Sequence, residues 1–214
     1  MKDGKLTRFD ATTGQSHSYL RAEDDCYYFI EYTARKAFDH SAANSFIKNF
    51  KKKPSLKGTY QWRHKLTAIR EAAETLSRDL PPEWLRKSTF VPIPPSKSRE
   101  HPEYDDRMTK VLMTLANADV RELVYQVESM DETHGSADRH SIDDLVANYR
   151  IDEDHANPEP THIVIVDDMM TAGAHYRAMH RILKRRFPNV PISGVFLARR
   201  IFATDEVGDD DDDE

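Results

Sequence analysis

Apolar residues recur along this chain at two different spacings. Ala43, Phe46, Ile47 and Phe50 fall at helical intervals, and Ser41 stands where an N-cap is expected. YQWRHKLTAIREAAETLSRDL (Tyr60–Leu80) predicts a long amphipathic helix with Trp62, Leu66, Ile69, Ala73 and Leu76 on one face. Pro81 and Pro82 stop it. A third helix holds Met108, Val111, Leu112 and Leu115, and AHYRAMHRILKRRF predicts a fourth with Tyr176, Met179, Leu183 and Phe187 turned inward. STFVPIPP (Ser88–Pro95), VRELVYQVES (Val120–Ser129), THIVIV and ISGVFLARR have the short branched-apolar runs of strands. DDCYYFIEYT (Asp24–Thr33) mixes aromatic and β-branched residues and opens the fold. SADRHSIDDLVANYRI (Ser136–Ile151) predicts a short helix leading into an extended segment. Residues 1–20 show no periodicity, and there is no internal repeat.

Strands alternating with helices in the second half predict an α/β fold, a parallel sheet covered by helices. Ligands of such sheets sit at the carboxyl ends of the strands. The loops after FVPIP and IVIV both leave such ends, which puts them on one sheet edge. The 214 residues suffice for one sizeable core, organised as a domain over 1–204 with a helical or hood part at 1–87 and a ligand-binding core at 88–204.

Composition narrows the class further. No apolar run approaches the roughly 20 residues of a membrane span. MKDGKLTRFD lacks the apolar stretch of a signal peptide, so a cytoplasmic protein is expected. The one cysteine, Cys26, excludes an intramolecular disulfide framework and a Cys-rich zinc site. Eight acidic residues crowd into Asp205–Glu214, which leaves the rest of the chain mildly basic. A run of that kind has nothing to bury and reads as a disordered tail over 205–214.

The chemistry concentrates in THIVIVDDMMTAGAH (Thr161–His175). A turn of small residues between a buried strand and a helix leaves backbone N–H groups pointing outward, an anion site that the helix dipole favours. Thr171 adds a hydroxyl, and Gly173 lets backbone approach a phosphate closely. Asp167 and Asp168 stand just before this cradle. Carboxylates there suit ribose hydroxyls or a phosphate-bound Mg²⁺. A ligand with a phosphate, a sugar diol and a metal satisfies both halves.

This stretch resembles the phosphoribosyl diphosphate (PRPP) motif of type I phosphoribosyltransferases: four apolar residues, two acids, two mostly apolar residues and a Thr-x-Gly loop. FVPIPPSK is similar to the Val-Pro-Val-Pro strand of ComF-type phosphoribosyltransferases, and FLARR to their closing strand. FIKNFKKK resembles their Lys-rich helix end, and DRHSIDDLVANYRI their Arg-then-Asn segment, which gives Arg139 and Asn148. The chain departs from that group in having no cysteines for a zinc element, in carrying Ala174 and His175 where Thr or Ser is usual, and in placing Tyr104, Asp105 and Asp106 where an aromatic-Asn-Gln stretch is usual.

The resemblance implies a type I phosphoribosyltransferase-like sheet and transfer of a 5-phosphoribosyl group from PRPP with release of diphosphate. It implies that Asp167 and Asp168 bind the ribose diol, with Mg²⁺ reached through ribose or water. Thr171, Ala172, Gly173, Ala174 and His175 form the 5′-phosphate cradle, and Ser96, Lys97, Ser98 and Arg99 meet the diphosphate. A PRPP- or nucleotide-sensing regulator without catalysis is the alternative, and a nucleic-acid accessory protein a third. As partners, a homodimer, another protein or a nucleic acid stay open; a membrane is not expected. Rival motifs are missing: there is no Gly-x-x-x-x-Gly-Lys loop and no Gly-x-Ser-x-Gly elbow. His134 and His140, and His175 and His180, lack the spacing of a helical metal pair and read as loop or surface residues.

Overall fold

Ile163–Val166, the most apolar run of the chain, lies at the centre of a sheet covered on both faces. The computed structural model describes residues 1, 4–10, 12–130 and 141–203. The acidic tail, Arg139, His134 and His140 lie outside the described residues. The strands are β1 (Thr7–Arg8), β2 (Asp25–Thr33), β3 (Thr89–Pro92), β4 (Asp119–Val120), β5 (Val124–Gln126), β6 (Tyr149–Ile151), β7 (Ile163–Met170) and β8 (Ile192–Ile201). The helices are α1 (Ala42–Phe50), α2 (Tyr60–Asp79), α3 (Pro82–Lys87), α4 (Arg107–Leu112), α5 (Ile142–Asn148) and α6 (Ala174–Arg186).

Six strands form the main sheet in the order β1-β2-β8-β7-β3-β4. All neighbours are parallel except β1 and β2. β5 and β6 make a separate antiparallel pair. The protein is therefore α/β with a mostly parallel sheet flanked by helices.

Alternation along β7 explains why the run is apolar throughout. Ile163 and Ile165 join one core with Tyr149, Tyr176, Met179, Leu183 and Phe187. Val164 and Val166 join the other with Phe46, Phe50, Leu76, Val111 and Leu112. Both faces of the strand need apolar side chains because both are buried. Ser41 caps α1 as expected, its hydroxyl accepting from the Asn44 N–H at 3.0 Å.

Three expectations need correction. The N-terminal part, expected as a helical or hood region separate from the core, also supplies a strand of the central sheet: β2 has nine residues and pairs with β8 from Asp25 to Thr33. The Val120–Ser129 strand region is two short strands in different sheets. The inward face of α2 carries Lys65, Ala68, Ala72, Ala73 and Leu76, whereas Leu66 is 47% exposed. Lys65 displaces the expected face because its stem packs inward while its ammonium is satisfied by the carbonyls of Phe50 (2.9 Å) and Lys52 (2.7 Å) and by Asp105 (2.6 Å). Among the described residues no helix is long and apolar enough to cross a membrane.

Candidate functional site

The order of the strands reverses between β3 and β7. From β3 the chain moves outward to β4, and from β7 it moves the other way to β8. A crevice opens at the carboxyl ends of strands on either side of such a switch point, where open α/β sheets bind ligands. β3 stops at Pro92, and its last ladder bond runs from the Ile93 N–H to the Val166 carbonyl at 2.9 Å. The next two residues of β7 are Asp167 and Asp168, so both carboxylates stand where β3 has ended.

The two acids have different surroundings. Asp168 is 3% exposed. One of its oxygens takes the Arg107 guanidinium through Nε at 2.9 Å and Nη2 at 2.5 Å. Its other oxygen lies 3.0 Å from the Lys51 ammonium. Arg107 continues to Asp105 at 2.7 Å, and Asp105 to Lys65 at 2.6 Å. The two cations hold the Asp168 carboxyl well below the usual range despite its burial. Asp167, half-buried, has the opposite balance. Burial first, and then the Asp168 charge, push it up to about 7. Its Oδ1 accepts the Asp168 N–H at 2.7 Å.

Alternation separates the pair. One step past Val166 turns Asp167 toward the face of Tyr149, whose phenol is raised by burial and by the Asp167 charge. The following step turns Asp168 toward α1 and α4, which supply Lys51 at the α1 C-cap and Arg107. The pattern then slips: Met169 packs with the α1, α2 and α4 core and Met170 with the other.

The predicted phosphate loop runs from Thr171 to His175. Gly173 is the N-cap of α6 with φ of +93°, a left-handed conformation that a side chain adopts only at a cost. The N–H groups of Thr171, Ala172, Gly173 and Ala174 have no acceptor among the described residues. Their carbonyl neighbours are held by the N-terminal segment. His17 Nδ1–H donates to the Thr171 carbonyl, and the Tyr19 N–H donates to the Ala172 carbonyl at 2.9 Å. Arg177 of α6 ties this segment down through the Tyr19 carbonyl (3.0 Å) and Asp24. His175 sits exposed in the first turn of α6, its Nδ1 hydrogen-bonded to the Tyr149 hydroxyl at 2.8 Å.

The second predicted loop, Ser96 to Arg99, is anchored on β5 and the segment that follows it. The Ser96 carbonyl accepts from Met130 N–H and Gln126 Nε2, both at 2.7 Å. The Ser98 N–H donates to the Ser129 hydroxyl at 2.9 Å, and Arg99 pairs with Glu122 at 2.5 Å. Lys97, Ser98 and Arg99 line a cavity of about 570 Å³ walled by Pro92–Pro95, Val124–Val127 and Ile151–Asp154. Neither the acid pair nor the Thr171–His175 turn lines that cavity. α4 connects the two regions: Arg107 reaches Asp168, while Thr109 donates to Glu122 at 2.7 Å, the partner of Arg99. Asn148, singled out from the sequence, clamps Glu128 by two hydrogen bonds of 2.8 and 2.9 Å and belongs to the support of β5 and β6.

Lys51, Lys65, Asp105, Arg107, His17, Tyr149 and Arg177 were not among the expected site residues. The Lys-rich end of FIKNFKKK and the charged DDR after Tyr104 were the visible signals for Lys51, Asp105 and Arg107. Nothing in the polar first 20 residues marked His17. No group of three or more His, Cys, Asp or Glu side chains stands together as a metal cage among the described residues. In comparisons with family models and with curated proteins, the chain has no match.

Proposed function

We propose that the crevice between β3 and β7 binds a phosphoribosyl ligand, PRPP or a close relative, in a type I phosphoribosyltransferase-like manner. The observation that carries this reading is one short stretch: two carboxylates at a switch point and, after Met169–Ala172, a left-handed glycine that opens a helix, with N–H groups of the turn unpaired among the described residues. A 5′-phosphate fits the loop from Thr171 to His175, and the ribose hydroxyls fit Asp167. Arg107 and Lys51 bring two positive charges to the same crevice, suited to the anionic end of the ligand.

A divalent ion suits this donor set only when the ligand's own oxygens complete its shell. Mg²⁺ is commonly held by one or two carboxylates together with substrate phosphates. Asp167 is the carboxylate available for that role, because both oxygens of Asp168 are engaged by cations. An ion held there would supply neutralisation of the diphosphate charge; the protein's own part would be to hold both phosphate ends and to present an acceptor to the anomeric carbon, so that the bond to the acceptor forms as the bond to the diphosphate oxygen breaks. The engagement of Asp168 also favours a second reading, in which the ligand is bound and sensed without turnover.

Calorimetry with PRPP, with and without Mg²⁺, tests the binding. Wild-type protein is expected to bind with Mg²⁺ assistance, and a folded Asp167→Asn variant to lose most of the affinity. A folded Asp167→Asn protein that binds PRPP as tightly as wild type would refute the assignment. Diphosphate release in the presence of candidate acceptors separates transfer from sensing.

A further inference from the structure

From His40 to Arg70 the chain contains no Asp or Glu and eight Lys or Arg residues, although the protein as a whole is acidic. These residues form α1, the loop after it and the first half of α2. Two of the cations are used internally: Lys51 on Asp168, and Lys65 on Asp105. Lys52, Lys53, Lys57 and Arg63 pair with no carboxylate among the described residues.

Aromatic rings are set among these charges. Tyr60, at the first position of α2, is 71% exposed, more than any other large apolar or aromatic side chain described. Arg63 lies 5.8 Å from its ring centroid, and the His64 ring meets it edge-on at 5.3 Å. Trp62, half-buried, has the Lys57 and Lys65 ammonium groups 5.9 and 5.5 Å from its centroid. Tyr60 belongs to neither apolar core among the described residues.

We propose that this face, from Lys52 to Arg63, binds single-stranded nucleic acid. The cations track phosphates, and Tyr60 with Trp62 provides rings on which unpaired bases stack. Charge alone would admit any polyanion, including an acidic segment of this chain or of another protein. The exposed ring decides among them, because carboxylate side chains have nothing to stack on it. A duplex fits less well, since its bases are already stacked and their faces closed. The inference stands apart from the phosphoribosyl reading, since it uses neither the acid pair nor the phosphate loop.

Fluorescence anisotropy of the full chain with a short labelled oligo(dT), at rising salt, tests it. Three to four phosphate contacts predict that log affinity falls against log salt with a slope of about −2 to −3. Tyr60→Ala is expected to weaken binding about tenfold. A triple variant, Lys52→Ala with Lys53→Ala and Lys57→Ala, is expected to flatten the salt slope by about 2. All four side chains lie at or near the surface, and if the triple variant fails to fold, Tyr60→Ala alone decides. No binding of the oligonucleotide overturns the proposal. So does a Tyr60→Ala protein that binds normally, with linear polyphosphate or the acidic tail peptide competing as well as oligo(dT). Tighter binding of the matching duplex overturns it too.

Discussion

Arg107→Leu tests the arrangement that makes the acid pair tolerable. Leucine keeps apolar bulk beside Phe50, over whose ring the guanidinium now lies at 5.8 Å. What is lost is the bridge between Asp168 and Asp105. The Asp168 side chain is 4% exposed and that of Asp105 10%. Removing one partner of a buried ion pair costs about 3–5 kcal/mol, because the other charge stays buried. Here each carboxylate keeps one cation, Lys51 for Asp168 and Lys65 for Asp105. The lower end, about 3 kcal/mol, is therefore expected, a fall of roughly 6–12 °C in Tm for a chain of this size.

Thermal unfolding of wild type, Arg107→Leu, Asp168→Asn and the double variant measures both the cost and its origin. The double variant is expected to be more stable than the summed single losses by about 1 kcal/mol or more, since neutral Asn no longer needs the cation. The pH dependence has a definite sign. Asp168 is held low in the folded protein, so its paired stability is present above the unfolded carboxylate value of about 4 and is lost as pH falls through the depressed folded value. The gap between wild type and Arg107→Leu should accordingly narrow in acid. A Tm change under about 2 °C, or strict additivity of the two substitutions, would refute the reasoning.

Three further outcomes follow from the site. Asp167 is raised to about 7, so the folded state holds a proton that the unfolded chain releases near pH 4, and stability from this group falls as pH rises through that interval. Asp167→Asn should therefore melt above wild type at pH 8, with the difference gone near pH 4; equal curves at both would remove the shift. Gly173→Ala forces a side chain into φ +93° and brings Cβ to 3.3 Å from the Met170 sulfur, which should cost about 1–3 kcal/mol and weaken ribose 5-phosphate binding. Unchanged Tm and unchanged affinity would exclude Gly173 from the loop's function. Lys97→Ala with Arg99→Ala should weaken PRPP binding more than ribose 5-phosphate binding if the loop meets diphosphate; equal affinities to wild type for both ligands would assign these cations to the neighbouring cavity instead.

The elements that apolar spacing controls were legible in the sequence. Tyr176, Met179, Leu183 and Phe187 all face the core, as do Met108, Val111, Leu112 and Leu115. Both depend on a periodicity that neighbours in sequence determine. The face of α2 was misread because a lysine counts as polar in any such pattern. Whether Lys65 can be buried depends on two carbonyls 13 and 15 residues away and on a carboxylate 40 residues away. The same holds for the partners of Asp168, which lie 61 residues off in Arg107 and farther still in Lys51. Local sequence displayed the acid pair and the glycine turn because they are contiguous. It was silent on what neutralises them.

Two adjacent carboxylates at the end of a buried strand would repel if they shared one environment. Strand alternation sends them to different neighbourhoods: Lys51 and Arg107 pair directly with Asp168 and reach Asp167 only through space, where burial and the Asp168 charge outweigh them. Asp168 remains an anion inside a cluster with Lys51, Arg107, Asp105 and Lys65. Asp167, beside the buried Tyr149 phenol, is pushed toward the neutral form. Like charges placed together commonly resolve in this way, one ionised and one raised. The ionised acid is already satisfied by its ion pairs, and the raised one is bonded only to the Asp168 N–H among the described residues. An incoming cation or diol would therefore meet Asp167 first, and a second cation on the ligand would have to displace Arg107 or Lys51 to reach Asp168. The order of engagement follows from the ion pairs, and it is the reason that Asp167, rather than the pair as a unit, is the residue on which ligand binding should depend most steeply.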